Sequence, residues 1–299
     1  RHRLSITAPA GYRFWGEADV VLAVGTRLQP PQQNWGFDDG LKIVRIDADS
    51  EELDRHRKPA IGIVGDATAT LKVLADRLAG HNRKRDGRAD HVAQIKSTTN
   101  RKVHELLAPQ IAYLEAMRKA LPEDGILIDE LTQMGYAARF AWPTYQPRTF
   151  LSPGYQGTLG WGYATALGAK IARPDTAVLS ISGDGGFLFT AMEMATAAQH
   201  GIGVVAVVFS DGAFGNVRRI QQQSFNNRTI ATELRNPDFV KLAESFGIDA
   251  VRVGSPDELG AAIARGIARG APLLIDCPVG EFPDPWSLVT LPPIRPRKS

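Results

Sequence analysis

Cysteine is almost absent from this sequence: Cys277 stands alone among 299 residues. A single thiol excludes an internal disulfide framework and fits a reducing compartment. It lies in the apolar run Pro272–Val279, which predicts a buried structural thiol rather than a nucleophile. Long hydrophobic runs are missing as well. No stretch approaches the roughly 20 apolar residues of a membrane helix, so no membrane partner is expected. Neither sign of charge dominates, since 35 Lys and Arg oppose 32 Asp and Glu for a formal net charge of +3. That balance gives no general attraction to nucleic acid. The one compact basic run, His81-Asn82-Arg83-Lys84-Arg85, has no interleaved aromatic residue and reads as a solvated linker. No signal-peptide pattern opens the chain, and a cytoplasmic location is expected. Arg1-His2-Arg3 include no initiating methionine, and Ala18–Leu28 reads as mid-domain. The expectation is therefore the C-terminal part of a larger polypeptide.

What is present is alternation of short apolar runs with amphipathic ones. Val20–Val24, Lys42–Ile46 and Ile61–Val64 read as strands, and Ala67–Leu78, with leucines at 71, 74 and 78, as a helix. Further on, Ile126–Ile128, residues 177–182, 204–209, Ala250–Val253 and Pro272–Cys277 read as strands. Ile111–Leu121, Leu159–Ala172, residues 190–200, Phe239–Phe246 and Leu259–Ile267 read as helices between them. Strand–turn–helix units at this spacing predict an α/β protein with two doubly wound parallel-sheet domains. The expected division is a partial Rossmann-like domain over 1–80, a linker over 81–108, a second domain over 109–280 and a Pro-rich tail over 281–299.

Two of the strands end in acid-bearing, glycine-rich turns. Gly183-Asp184-Gly185-Gly186 closes the first, and Ser210-Asp211-Gly212-Ala213 closes the second twenty-seven positions later. Such turns offer backbone N–H groups and hard oxygen ligands together, which suits a divalent cation bound to a phosphate-bearing ligand. Asp184, Asp211 and the backbone carbonyl of Ala213 are the candidate ligands for Mg²⁺, and Gly183, Gly185 and Gly186 the candidate diphosphate cradle. Either turn alone would read as an ordinary strand-to-helix turn with a capping aspartate. Upstream lie a second glycine-rich segment, Gly154-Tyr155-Gln156-Gly157-Thr158-Leu159-Gly160, and the run Asp129–Phe140.

Together these motifs resemble the thiamine diphosphate-dependent 2-oxoacid decarboxylase and carboligase superfamily, most nearly its acetolactate synthase-like members, over almost the whole chain. The resemblance implies thiamine diphosphate and Mg²⁺ as cofactors and a 2-oxoacid as substrate, with a C–C bond cleaved or formed next to its carbonyl. It makes Leu159 the wedge that holds the cofactor's two rings in a V shape, with the Gly157 carbonyl and the Leu159 N–H on the aminopyrimidine. Leu131 and Thr132 become contacts of the segment that closes over the diphosphate, and Gly215 and Asn216 join the cofactor contacts. Residues 1–80 resemble the back half of the family's central domain, which holds FAD in some relatives; here FAD is the minority expectation. The glutamate that activates the cofactor belongs to a pyrimidine-binding domain not represented here, so a homodimer or homotetramer completing the site is implied.

Three positions depart from the family pattern. Asp211 stands where the common signature has Asn, and Asn216 and Ile220 stand where acetolactate synthases often have Met and Trp. Those departures keep two alternatives open: a simple, benzoylformate-like 2-oxoacid decarboxylase, and a non-catalytic paralogue or assembly module. Arg218, Arg219, Gln221 and Gln222 could reach a carboxylate or form a solvated helix face. His200 reads as a cation closing a helix C-terminus, outside the chemistry.

Overall fold

A computed structural model describes residues 2–81, 87–154 and 156–295. Most of the basic run at 81–85, Tyr155 and the end of the tail lie outside those residues. The chain divides into two compact units, one of Arg1–Lys102 with Trp286–Ser299 and one of Val103–Pro285. No helix among the described residues is long and apolar enough to cross a membrane.

The first unit carries a three-stranded parallel sheet in the order β1 (Val20–Val24), β2 (Lys42–Asp47), β3 (Ile61–Val64). Helix α1 (Ala8–Glu17) precedes it, and α2 (Ser50–Asp54) and α3 (Ala67–Leu78) follow β2 and β3. Asp49 caps α2 by accepting the Glu51 N–H, and Asp66 caps α3 by accepting that of Ala69. The aspartates after β2 are therefore occupied locally. Arg45, 1% exposed on β2, donates to the carbonyls of Leu53 in α2 and of Thr26 after β1 and ties both segments to the strand. Trp15, Trp35, Phe37, Leu41 and Ile43 form the core, against which Leu291 and Ile294 of the C-terminal segment pack.

That segment does more than cover apolar surface. A helix leaves its last carbonyls without intrahelical partners, and at the end of α1 one side chain meets two carbonyls, that of Trp15 and that of the capping residue Ala18. Arg295, 7% exposed, donates from Nε to the Trp15 carbonyl at 2.7 Å, from a second nitrogen to the Ala18 carbonyl, and from a third to Asp38 Oδ1 at 2.5 Å. A cation there also complements the helix dipole. A Cβ on Gly36 would stand 2.0 Å from the Arg295 carbonyl, so the segment lies against bare backbone.

Helix α4 (Ala89–Leu106) crosses the stretch expected to be a linker, and the boundary between units falls within it. Its composition is polar because few positions, Val92 and Val103 among them, are buried. The second unit continues with α5 (Ala108–Ala120), β4 (Ile126–Asp129), α6 (Gln133–Ala141), β5 (Phe150–Leu151) and α7 (Trp161–Ala172). Then come β6 (Val178–Gly183), the single turn α8 (Asp184–Phe187), α9 (Met194–His200), β7 (Val205–Ser210) and α10 (Gly215–Ser224). The unit closes with α11 (Phe239–Ser245), β8 (Asp249–Arg252), α12 (Pro256–Arg269) and β9 (Leu273–Pro278).

All six strands are parallel, in the order β5-β4-β6-β7-β9-β8. The connection from β5 steps back over β4 to β6, which makes the β4–β6 crevice the switch point where ligands of such sheets bind. Central strands β6 and β7 are buried on both faces, which fits the apolar run Val205–Phe209 of β7 and the small, buried Ser180 and Ser182 among the aliphatic residues of β6. On one face Ile128, Val178, Ala206 and Val208 pack with Tyr163, Met194 and Phe239. Cys277, fully buried on β9, has its thiol pushed up to about 12 by burial, which fits the structural role read from its setting.

Two readings are corrected. The helix expected from Leu159 begins at Trp161, because Gly160 turns into the left-handed region at φ 82°. The helix expected over 190–200 starts with a tight turn at Ala191–Glu193 before α9. Arg295→Ala should lower the stability of the first unit by about 3 kcal/mol, since two carbonyls and Asp38 lose their donor. Urea unfolding followed by tryptophan fluorescence should show an earlier first transition; an unmoved curve would show that the segment is dispensable.

Candidate functional site

Parallel pairing sets β6 and β7 side by side with Gly183 opposite Phe209, so both strands deliver their terminal turns to the same edge. Asp184 is 1% exposed and accepts three N–H donors: Gly185 on Oδ1 at 2.8 Å, and Gly212 and the Asn236 side chain on Oδ2 at 2.7 and 2.6 Å. The Gly212 bond joins the two turns, because that N–H belongs to the peptide after Asp211. Asp211 accepts the Ala213 N–H at 3.1 Å. Its carboxyl is raised first by burial and then by the charge of Asp184, with the Ala213 N–H and Arg218 opposing. A buried and a half-buried carboxylate thus repel each other where the two turns meet.

A cation at that point would offset the repulsion. Among the described residues no group of three or more His, Cys, Asp or Glu side chains converges on a metal site. Any ion here rests on two carboxylates, neutral oxygens and its ligand, a donor set that suits Mg²⁺. Asn236 fits the same picture. Its Nδ2 is spent on Asp184, and its buried Oδ1 makes no hydrogen bond, which leaves an oxygen donor beside the acidic pair. The residues present fit the group. Asn236 was not singled out in the sequence, where only the following Pro237 marks its position.

The other expected residues lie on neighbouring loops of the same sheet edge. Thr132 caps α6 through its hydroxyl, which accepts the Gly135 N–H at 3.1 Å. Leu131 reaches the β5–α7 loop: a Cβ on Gly157, at φ 62°, would stand 2.6 Å from its Cδ1. Leu159 is 40% exposed at the tip of that loop. Gly185 is closed in by Phe214 and Leu234, and a Cβ on Gly215 would face Asp211 Oδ2 at 3.5 Å and Gln133 Nε2 at 3.7 Å. Asn216 donates to the Tyr136 hydroxyl at 3.4 Å and accepts from Arg219, so its amide is engaged within the site wall. The loops after β4, β5, β6 and β7 therefore all contribute. His200 stands apart on the last turn of α9.

Comparison with known proteins gives a consistent result. Residues 131–277 match the profile of the thiamine pyrophosphate enzyme C-terminal TPP-binding domain, and residues 3–74 that of the thiamine pyrophosphate enzyme central domain. A probable acetolactate synthase large subunit of Methanococcus aeolicus is 32% identical over 96% of the chain and 50% of its own length. A probable 2-ketoarginine decarboxylase of Pseudomonas aeruginosa is 30% identical over 91% of the chain and 49% of its own. A sulfoacetaldehyde acetyltransferase of Castellaniella defragrans is 28% identical over 86% and 48%. The chain spans about half the length of the curated relatives it matches.

One buried acid beside the site has no hydrogen bond. Asp129 ends β4 with both carboxylate oxygens unpartnered and the Arg139 Nε 4.0 Å away. Burial pushes its carboxyl up to about 7, against the pull of Arg139. Because the folded value lies above the unfolded one, the native state holds the extra proton, and stability falls as pH rises between about 4 and 7. Asp129→Asn should remove that loss and stabilise the protein above pH 7 by up to about 4 kcal/mol, with no gain below pH 4. Thermal melts across pH would check this; a gain independent of pH would contradict it.

Proposed function

Since the chain belongs to the thiamine pyrophosphate enzymes, of which it carries the central and the C-terminal cofactor-binding domains, we propose that residues 109–280 anchor thiamine diphosphate through Mg²⁺ and act on a 2-oxoacid. The observation that carries this reading is the bond from Gly212 to Asp184, which makes one site of two strand ends. When bound, the cofactor supplies an electron sink for breaking or forming a C–C bond next to a carbonyl. The chain's own residues hold and orient it. Asp184, Asp211 and the Ala213 carbonyl would hold the ion, with Asn236 Oδ1 as a further oxygen. The turn at Gly183, Gly185 and Gly186, with Thr132, would receive the diphosphate. Gly157 and Leu159 would meet the rings, Leu131 would join Thr132 in the segment closing over the diphosphate, and Gly215 and Asn216 would complete the cofactor contacts. Asp211, where the family signature has Asn, adds charge that favours the cation.

Activation of the rings is assigned to a pyrimidine-binding domain outside these 299 residues, completed in a homodimer or homotetramer. The reaction favoured is acetolactate synthase-like carboligation. Simple decarboxylation is the second reading, favoured by Asn216 and Ile220 where those synthases often have Met and Trp. With one 2-oxoacid and one acceptor aldehyde, a carboligase yields a hydroxyketone and a decarboxylase only the shortened aldehyde.

The test of cofactor binding is thermal. A ligand at a hundred times its dissociation constant stabilises the folded state by about 2.7 kcal/mol, a rise of several degrees in Tm for a chain this size. Thiamine diphosphate with Mg²⁺ should raise the Tm in this way, and Asp184→Ala should abolish the rise. An unmoved wild-type Tm at saturating cofactor would favour a non-catalytic paralogue.

A further inference from the structure

Glu130 follows β4 at the switch-point crevice and is 1% exposed. Its carboxylate is bonded wholly to other elements. Oε1 accepts the Gly160 N–H at 2.8 Å, and Oε2 accepts the Gly162 N–H at 3.0 Å and the Ser182 hydroxyl at 3.2 Å. Glycines close around it: a Cβ on Gly186 would stand 1.9 Å from Oε1, and one on Gly162 2.8 Å from Oε2. One acid just after β4 therefore touches β6, α7 and the acidic turn at once. Burial raises its carboxyl, and the three donors pull it back towards the ionised form.

These contacts bear on Leu159. Helix α7 is preceded by Gly160 at its N-cap, which has no side chain to cap it and admits none, since a Cβ there would stand 2.8 Å from that of Phe189. The first N–H groups of a helix need an acceptor, and a negative charge there is favoured. Glu130 supplies both from another strand. The N–H on its Oε1 belongs to the peptide that joins Leu159 to Gly160. On the other side of Gly160, the Thr190 hydroxyl donates to its carbonyl at 3.0 Å. The peptides flanking Gly160 are both pinned, while the Leu159 side chain is left exposed at the end of a clamped loop.

We propose that Glu130 is a positioning residue for the cofactor rings: through the Leu159–Gly160 peptide it sets the direction in which Leu159 projects. This rests on the reading of Leu159 as the ring support. Glu130 acts on the rings and not on the diphosphate, and the two effects separate by ligand. Inorganic pyrophosphate with Mg²⁺ reads the acidic turn alone, whereas thiamine diphosphate with Mg²⁺ reads turn and rings together.

Calorimetric titration of the full chain with each ligand tests this. In Glu130→Gln the volume is kept, but the new amide NH₂ faces an N–H that had an acceptor. Affinity for thiamine diphosphate should fall about tenfold, while that for pyrophosphate stays within about twofold. In a Leu159→Ala background the same change should cost less than about twofold, because the residue it acts through is gone. An equal loss for both ligands would make Glu130 a structural cap only, and no loss, or additive losses in the double variant, would equally overturn the proposal. Should Glu130→Gln not fold, Thr190→Val, which frees the Gly160 carbonyl, should show the same contrast at about threefold; unchanged affinities there would overturn it. A wild-type chain that binds pyrophosphate but gains nothing from the thiamine rings removes the reading of Leu159 itself, and one that binds neither removes the cofactor reading.

Discussion

The Asp184 carboxylate is out of contact with water, and a buried charge of that kind is costly unless donors surround it. Its three N–H donors come from its own turn, from the turn after the adjacent strand and from Asn236, fifty-two residues further on. Those bonds hold the ends of β6 and β7 and the segment leading into α11 in one arrangement, and the geometry of the acidic pair follows from them. The strain in that arrangement is electrostatic. Burial raises the Asp211 carboxyl and the charge of Asp184 raises it further, and the nearby Asn236 oxygen has no donor of its own. A protein gains nothing in stability from such a pair unless something positive comes to it.

A second buried acid organises the neighbouring crevice by similar means. Glu130 gathers donors from α7 and β6, so the two loops that border the acidic turn are referenced to the end of β4. Asp129, one residue earlier, has no such donors, and its carboxyl is held near neutrality by burial. Adjacent carboxyls on one strand end thus differ because backbone N–H groups reach only one of them. The glycines of this region are explained by the same crowding: at 162 and 186 a side chain would occupy the space of the Glu130 carboxylate, and at 135 that of Asp129.

Much of the second unit was legible in the sequence because β6 and β7 are buried on both faces and each runs directly into an Asp-Gly turn. A mainly apolar run closed by Asp-Gly carries both the strand and its end. Helix α3 announced itself through the spacing of Leu71, Leu74 and Leu78. Helices α1 and α4 did not. The first holds Pro9 and Gly11 within its span, and the second buries so few residues that its composition reads as linker. Glu130 and Asn236 were hidden for another reason. Their partners lie thirty to fifty-two positions away, and no local pattern reports a hydrogen bond made through the fold. Leu159 was singled out only through the resemblance carried by its glycine-rich run, while the Glu130 bond to the peptide that follows it was invisible until β4 and α7 met.

The grip of Arg295 on the end of α1 has a consequence for biogenesis. Residues 15 and 295 are 280 positions apart, and the whole of Val103–Pro285 lies in the loop they close. A ribosome delivers the enclosed unit before it delivers the arginine. The six-stranded sheet can therefore be finished while the three-stranded one still waits for its final side chain, and completion of the first unit after the second becomes the natural order of assembly.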